Sequence, residues 1–361
     1  MTTLFTVTYP KDGDVLSKYD GVETEHELTI TVRGTAPEGT PVRVNGIAAR
    51  RSNHEAFACD VPLSHNRNSI RVECGEDSRE LLVWWDKASH KRFRFSLDDN
   101  ILFLKDLAAN PDAYRSLFDH WYMAFWREMH EEFGAKIHCN IYYQTDGFDL
   151  TEMPYRWKDE WRENASWFNL SFHALQDQPP RTYRNAQYAQ IAHDYDLVCS
   201  QIRRFAGSEV ISATTTVHWA ECPKNALKAL RDRGIAYLIG LFETHNGQCT
   251  TGYYFTPEQC DYCRARSAWY DRELGILFVD CSLVVNTVEV DQIGPLLDAR
   301  AASPHSRDRI ELLIHEQYFR EDVPQYYQPT VKEKVRTALR WVTERGYEPV
   351  FWSDGFLGSP E

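Results

Sequence analysis

Arg92-Phe-Arg-Phe-Ser-Leu-Asp98-Asp99 decides the fold of this chain, because an alternating, strand-like run delivers two adjacent carboxylates where the strand should end. Period two predicts a strand over Phe93–Leu97. In α/β sheets the loops converge at the carboxyl ends of the strands, so acids placed there can meet residues from distant parts of the chain. The plainer alternative is that Asp98-Asp99-Asn100 caps a following helix, a position that favours Asp and Asn. The site reading is preferred because several later strands also end in a polar, metal-competent residue.

Beyond residue 88 helical and strand-like patterns alternate. Helical stretches close near Gly134, Gly207, Gly234 and Gly346, and an apolar strand follows each. Counting Phe93–Leu97, Ile137–Tyr143, Phe168–Phe172, Ile211–Val217, Tyr237–Phe242, Ile276–Val279, Ile310–Ile314 and Val350–Trp352 gives seven or eight strands. The fold class is therefore α/β, with a (β/α) barrel of seven or eight units over residues 89–361. Helices such as Ala226–Arg233 and Lys332–Arg345, the latter with Val335, Leu339 and Val342 on one face, would cover it.

Before residue 88 the pattern has period two throughout, over His26–Thr35, Pro41–Asn45, Phe57–Leu63, Ile70–Cys74 and Leu81–Trp85. Asn45-Gly46 is a two-residue hairpin turn, since both central positions need positive φ, and Pro10-Lys-Asp-Gly13 is a further turn. Residues 1–88 are expected to form a small all-β sandwich that folds independently. Its Val-Arg-Gly-Thr-Ala-Pro-Glu-Gly-Thr-Pro-Val-Arg-Val-Asn-Gly46 stretch, with Asn68-Ser-Ile-Arg-Val72 after it, resembles the bacterial immunoglobulin-like modules found beside carbohydrate-active enzymes.

Composition narrows the function. A formal net charge of -13 argues against nucleic acid or an anionic membrane as partner. The chain shows neither a transmembrane run nor a basic start followed by an apolar segment and cleavage site, so a cytoplasmic protein is expected. Nine cysteines cannot all pair within the chain, and Cys59, Cys139, Cys199 and Cys281 sit in apolar segments as small hydrophobes. Oligomeric state is not legible.

Read in order, the strand ends are Asp98-Asp99, His173, His218-Trp219, Asp280 and His315-Glu316. A carboxylate and two imidazoles suffice for Zn²⁺ or a similar divalent ion with a position left open for water. Aromatic residues in the loops, namely Trp157, Trp161, Trp167, Tyr183, Trp219, Tyr253 and Tyr254, are candidates for a sugar-stacking wall, against the ordinary alternative of packing. Glu316 is a further candidate for substrate contact.

At these residues the barrel resembles the polysaccharide deacetylase superfamily over roughly residues 90 to 320. Ser96-Leu-Asp-Asp-Asn100 matches the family's T-F-D-D-G motif, and the resemblance implies Asp98 as general base and Asp99 as metal ligand. Leu313-Ile-His315 matches L-x-H, which implies His315 as general acid, with Asp280 orienting it. The H-[ST]-x-x-H motif is represented by His173-Ala-Leu-Gln-Asp177, without its second histidine. Asp177 could take that place, or Asn169 could pair with His173, or His218 could supply the imidazole from the next strand; His218 is the preferred third ligand. The family's R-x-P-Y segment is replaced by Val217-His-Trp219.

The resemblance implies a metal-dependent hydrolase that removes an N- or O-acetyl group from a carbohydrate, with a divalent cofactor, zinc foremost. Two other classes stay open: a non-catalytic carbohydrate-binding barrel, and an isomerase or lyase using the same mouth. His245, Cys249, Cys260 and Cys263 have zinc-competent spacing. With no second C-x-x-C beside it, that spacing is weak, and Cys260 and Cys263 are expected to be reduced thiols without a catalytic part.

Overall fold

The structure is a computed structural model that describes residues 5–359. The chain divides into two compact units.

The first unit holds the described residues up to His90, together with Ala268–Gly275. Leu28–Thr35 lies between Thr6–Tyr9 and Ala56–Leu63 in one antiparallel sheet. Arg67–Cys74 lies between Asp77–Trp85 and Val42–Val44 in the other. Alternation places Leu28, Ile30 and Val32 of the first sheet and Ile70, Val72 and Val83 of the second in one buried cluster, as a half-exposed strand pattern requires. Asn45 and Gly46 have φ of 47° and 80°, the left-handed pair that a tight hairpin needs.

The Ala268–Gly275 segment, which nothing in the pattern of residues 89–361 set apart, belongs to this unit. The Trp269 indole donates to the Asp12 carbonyl at 2.8 Å, and Tyr270 meets Trp84 edge to face. A chain lacking residues 1–90 should therefore expose two aromatic rings and lose solubility. Replacing 268–275 with a short polar turn should restore it, as the soluble fraction and size-exclusion profile would report.

The second unit is built on the Arg92–Asn100 strand, which pairs in parallel with Arg309–His315 on one side and Ile137–Tyr142 on the other. Phe168–Ala174 extends the sheet beyond Ile137–Tyr142, and Leu283–Val284 beyond Arg309–His315. A parallel sheet covered on both faces needs strands buried along their length, and these are. A second parallel set aligns Thr214–Thr215, Tyr237–Gly240 and Ile276–Asp280. Backbone hydrogen bonds link the two sets at both edges. Leu170 N–H donates to the Val210 carbonyl at 2.8 Å, and Ser282 N–H to the Glu311 carbonyl at 2.8 Å.

Helices alternate with these strands, giving a mixed α/β unit. Trp121–Phe133 ends on Gly134, whose φ of 67° lets its N–H close on the His130 carbonyl. Val335, Leu339 and Val342 are all fully buried on the Val331–Glu344 helix. No helix among the described residues is long and apolar enough to cross a membrane.

Two strands depart most from the expected ranges. Ile211–Val217 contracts to Thr214–Thr215, because hydroxyls compete for the backbone: Ser212 Oγ accepts from Thr214 N–H at 3.1 Å, and Thr215 donates to the Phe172 carbonyl. Val350–Trp352 is replaced by Glu348–Pro349, and the Asp354 carboxylate draws the Phe351 N–H into a turn at 3.2 Å.

Beneath the strand ends runs an ionic core. Arg94 and Glu311, cross-strand partners with fully buried side chains, form a two-point ion pair at 2.7 and 2.9 Å. The Trp352 indole also donates to Glu311, at 2.7 Å.

Candidate metal centre and its surroundings

Adjacent residues of a regular strand point to opposite faces, yet Asp98 and Asp99 both line one cavity of about 390 Å³. The register explains it. Leu97 pairs with Cys139 and Asn100 with Ile141, so Asp98 and Asp99 together oppose the single residue Asn140. This is a β-bulge, and Asp99 sits in it with φ of 61°, a conformation Asp tolerates better than most residues.

Asp99, His173 and His218 converge from three strand ends, with one ligand atom from each within 4.8 Å of the others. His173 Nε2 and His218 Nδ1 lie 3.0 and 3.2 Å from Asp99 Oδ1, and 3.2 Å from each other. His173 Nδ1 is 2.5 Å from the Thr216 carbonyl, to which it must donate. A neutral His173 therefore turns a lone pair at Nε2 toward a carboxylate oxygen. Two acceptors at that distance repel unless a proton or a metal ion stands between them, and imidazole with carboxylate is a donor set that suits a divalent metal.

With protons in place of an ion, the same imidazoles and carboxylate stabilise one another. Burial acts to raise the Asp99 pKa, but hydrogen bonds from His173 and His218 outweigh it and hold the acid well below the usual carboxylate range. Burial acts to lower His218, but Asp177 and Asp99 raise it to about 9. Gln317 Nε2 donates to Asp99 Oδ2 at 2.8 Å, and the Tyr142 hydroxyl donates to Oδ1 at 2.5 Å. Asp177 Oδ1 is 3.5 Å from His218 Nε2, on the far side of the imidazole, and is outside the three-residue group. Asn169 donates to the Ala165 carbonyl near the opposite end of its strand.

Asp98 and His315 are register partners on neighbouring strands and both line the cavity. Asp98 Oδ1 accepts from Asn140 Nδ2 at 2.6 Å and from Ser96 Oγ at 3.2 Å. The expected orienting role of Asp280 is not met, because its carboxylate is taken by Arg300. Asn286 stands there instead, its Oδ1 2.9 Å from His315 Nδ1.

Glu316 is not a substrate contact either. It is fully buried, and its carboxylate accepts the N–H groups of Ile101, Leu102 and Phe103 at 2.8, 2.9 and 2.6 Å. The Leu102–Ala109 helix has no side-chain cap of its own, so Glu316 caps it from a distant strand end. Burial raises Glu316 to about 7, against the opposing N–H groups and Arg320. A carboxyl with a raised folded pKa binds its proton more tightly when folded, so stability should fall as pH rises from about 4.5 to about 7. Glu316→Gln should flatten that limb in urea titrations at successive pH values.

Of the aromatic candidates only Trp219 reaches the cavity. Trp219 and Ala220 have φ of 64° and 46°, a turn directly after His218 that leaves the indole 42% exposed. Trp157, Trp161 and Tyr183 are buried. Trp167 stacks on His130 beside the start of its strand. Tyr253 donates to the Ile239 carbonyl at 2.6 Å, and Tyr254 packs on Phe255 and Phe278; neither lines the cavity. Tyr318 and Tyr326, which the sequence did not single out, do line it.

Cys249 and Cys260 form a disulfide, which corrects the expectation of a reduced Cys260. Cys263 is a buried free thiol, and His245 is exposed beside Glu243. Among the described residues these four do not form a metal-competent group.

No family model matches the sequence, and no curated protein matches it. Solved structures similar to it include a family 4 acetyl xylan esterase from Clostridium thermocellum in complex with a cobalt ion, at 13% identity and a TM-score of 0.35, covering 72% of this chain and 87% of that one. A Streptococcus mutans CE4 esterase is similar at 11% identity and a TM-score of 0.40, covering 72% and 84%. A CE4 family pseudoenzyme from Bacillus anthracis is similar at 10% identity and a TM-score of 0.32, covering 72% and 63%.

Proposed function

We propose that the second unit is a closed barrel of parallel strands whose mouth is a metal-dependent hydrolase site, removing an acetyl group from the nitrogen or oxygen of a sugar. The observation that carries this reading is the convergence of Asp99, His173 and His218 on one point, with a separate carboxylate, Asp98, and a separate imidazole, His315, on the same cavity. The edge-to-edge backbone bonds near Leu170 and Glu311 support closure.

Asp99, His173 and His218 would hold the ion, zinc by preference for this donor set. When bound, it supplies Lewis acidity for the acyl carbonyl and for water. Asp98 takes the proton from the attacking water. His315, held through Nδ1 by Asn286, returns a proton from Nε2 to the leaving nitrogen or oxygen. Trp219 stands at the rim with the Arg181 guanidinium 4.5 Å over its ring, so a sugar would stack on the opposite face.

The test is to load the purified protein with zinc, measure the bound metal, and follow acetate release from N-acetylated chito-oligosaccharides and O-acetylated xylo-oligosaccharides. Zinc binding with acetate release supports the reading. Zinc or oligosaccharide binding without turnover would favour a binding barrel, and failure to retain any divalent ion would overturn the hydrolase.

A further inference from the structure

We infer that Asn140 is the positioning residue for the Asp98 carboxylate, standing at the end of a one-way chain of hydrogen bonds that begins on the buried Arg94 guanidinium. The inference rests on the reading of Asp98 as the proton acceptor and says how that carboxylate is held.

Elementary chemistry fixes each direction. A guanidinium can only donate, so Arg94, 2.5 Å from His138 Nδ1, makes that nitrogen the acceptor. Burial and the Arg94 charge both oppose protonation of His138, so its one proton sits on Nε2, 2.7 Å from Ser171 Oγ. Ser171, having accepted, donates to Asn140 Oδ1 at 2.5 Å. The competing Thr215 hydroxyl spends its proton on the Phe172 carbonyl.

The orientation of the Asn140 amide is fixed from both ends. Its Oδ1 faces the backbone N–H of Thr216 at 3.4 Å, an obligate donor, and its Nδ2 faces Asp98 Oδ1 at 2.6 Å, an obligate acceptor when ionised. Every proton in the chain Arg94, His138, Ser171, Asn140, Asp98 therefore points the same way. Each donation polarises the next group, so the last amide is a stronger donor than an isolated one.

The arrangement also selects an oxygen. Asn140 and Ser96 both donate to Asp98 Oδ1, and among the described residues Oδ2 takes no hydrogen bond, which leaves it for the reacting water. Asn140 is the single residue opposite the bulge, so the element that brings Asp98 and Asp99 to one cavity also aligns the group that holds Asp98. Arg94 lies two same-face positions before Asp98, with Ser96 between them, and is paired with Glu311 as Asp98 is paired with His315.

The test uses the full-length zinc-loaded protein with N-acetylated chito-oligosaccharides. Asn140→Ala and the isosteric Asn140→Asp should lower kcat on the order of 10²-fold, with KM within about threefold and the zinc content unchanged. Ser171→Ala, a milder change, should lose about tenfold, and Ser171→Thr, which keeps the hydroxyl, should recover most of it. Retention of kcat within about twofold in Asn140→Ala would overturn the inference, as would a loss that simply tracks zinc release or unfolding.

A readout independent of turnover is the ¹⁵N spectrum of His138, expected to show an unprotonated Nδ1 and a protonated Nε2. The opposite tautomer would overturn the direction of the chain. If the wild type binds zinc yet hydrolyses none of the oligosaccharides, the hydrolase reading falls and with it the catalytic use of Asn140, whatever the His138 spectrum shows.

Discussion

Asp99→Ala should strip the divalent ion and abolish turnover, whereas Asp98→Asn should keep the ion and lose on the order of 10²–10⁴ in rate. The contrast follows from geometry. Asp99 Oδ1 is the atom on which His173 Nε2 and His218 Nδ1 converge, at 3.0 and 3.2 Å, so without it two imidazoles remain with no anionic partner between them. Asp98 touches neither imidazole in these hydrogen bonds; its contacts are Asn140 and Ser96. His173→Ala should behave as Asp99→Ala does. Metal analysis of each variant beside single-turnover acetate release separates the two roles, and an Asp98→Asn protein that lost its metal would show that both acids ligate. Loss of the ion on Asp177→Ala with retention on His218→Ala would keep the architecture and reassign the third ligand.

Arg94→Met should be the most destabilising single change in the second unit, on the order of 3–5 kcal/mol in urea denaturation. The side chains of Arg94 and Glu311 are fully buried, and burial already raises the Glu311 pKa despite the guanidinium beside it. Removing Arg94 leaves that carboxylate with the Trp352 indole alone and leaves His138 Nδ1 without its donor. Replacing both members, Arg94→Met with Glu311→Leu, should cost much less than the sum of the single changes, because no unpaired charge is left behind. Added salt should change the single-variant loss little, since screening reaches exposed pairs and not this one. Additive losses in the double-mutant cycle would show that the two residues stabilise the fold separately.

The features that could be read from the sequence were those carried by local pattern. Alternation located the strands of the first unit, and the acids and imidazoles at strand ends singled out Asp99, His173 and His218, because a strand that stops in a polar residue leaves a mark in one dimension. What escaped depends on pairing across the fold. Asn140, Asn286, Gln317 and Tyr142 are ordinary residues in sequence, and only tertiary contact makes them partners of Asp98, His315 and Asp99. Glu316 and Asp280 were misread for the converse reason. A carboxylate beside a strand end looks available until three backbone N–H groups or an arginine occupy it. The weak C-x-x-C spacing points to reduced thiols at Cys260 and Cys263, but Cys260 is bonded back to Cys249 across eleven residues, a pairing that only the folded loop brings about.

The left-handed backbone at Asp99 also limits which replacements a saturation library at that codon could return. With φ at 61°, glycine fits without strain and asparagine with little, while β-branched residues would be driven out of the bulge and would pull Asp98 and Asn140 out of line with it. Folded survivors selected without regard to activity should therefore be enriched in Gly and Asn. Of those two, Asn keeps the carboxylate's shape and one oxygen, so Asp99→Asn removes the charge with the least disturbance of the turn that presents it.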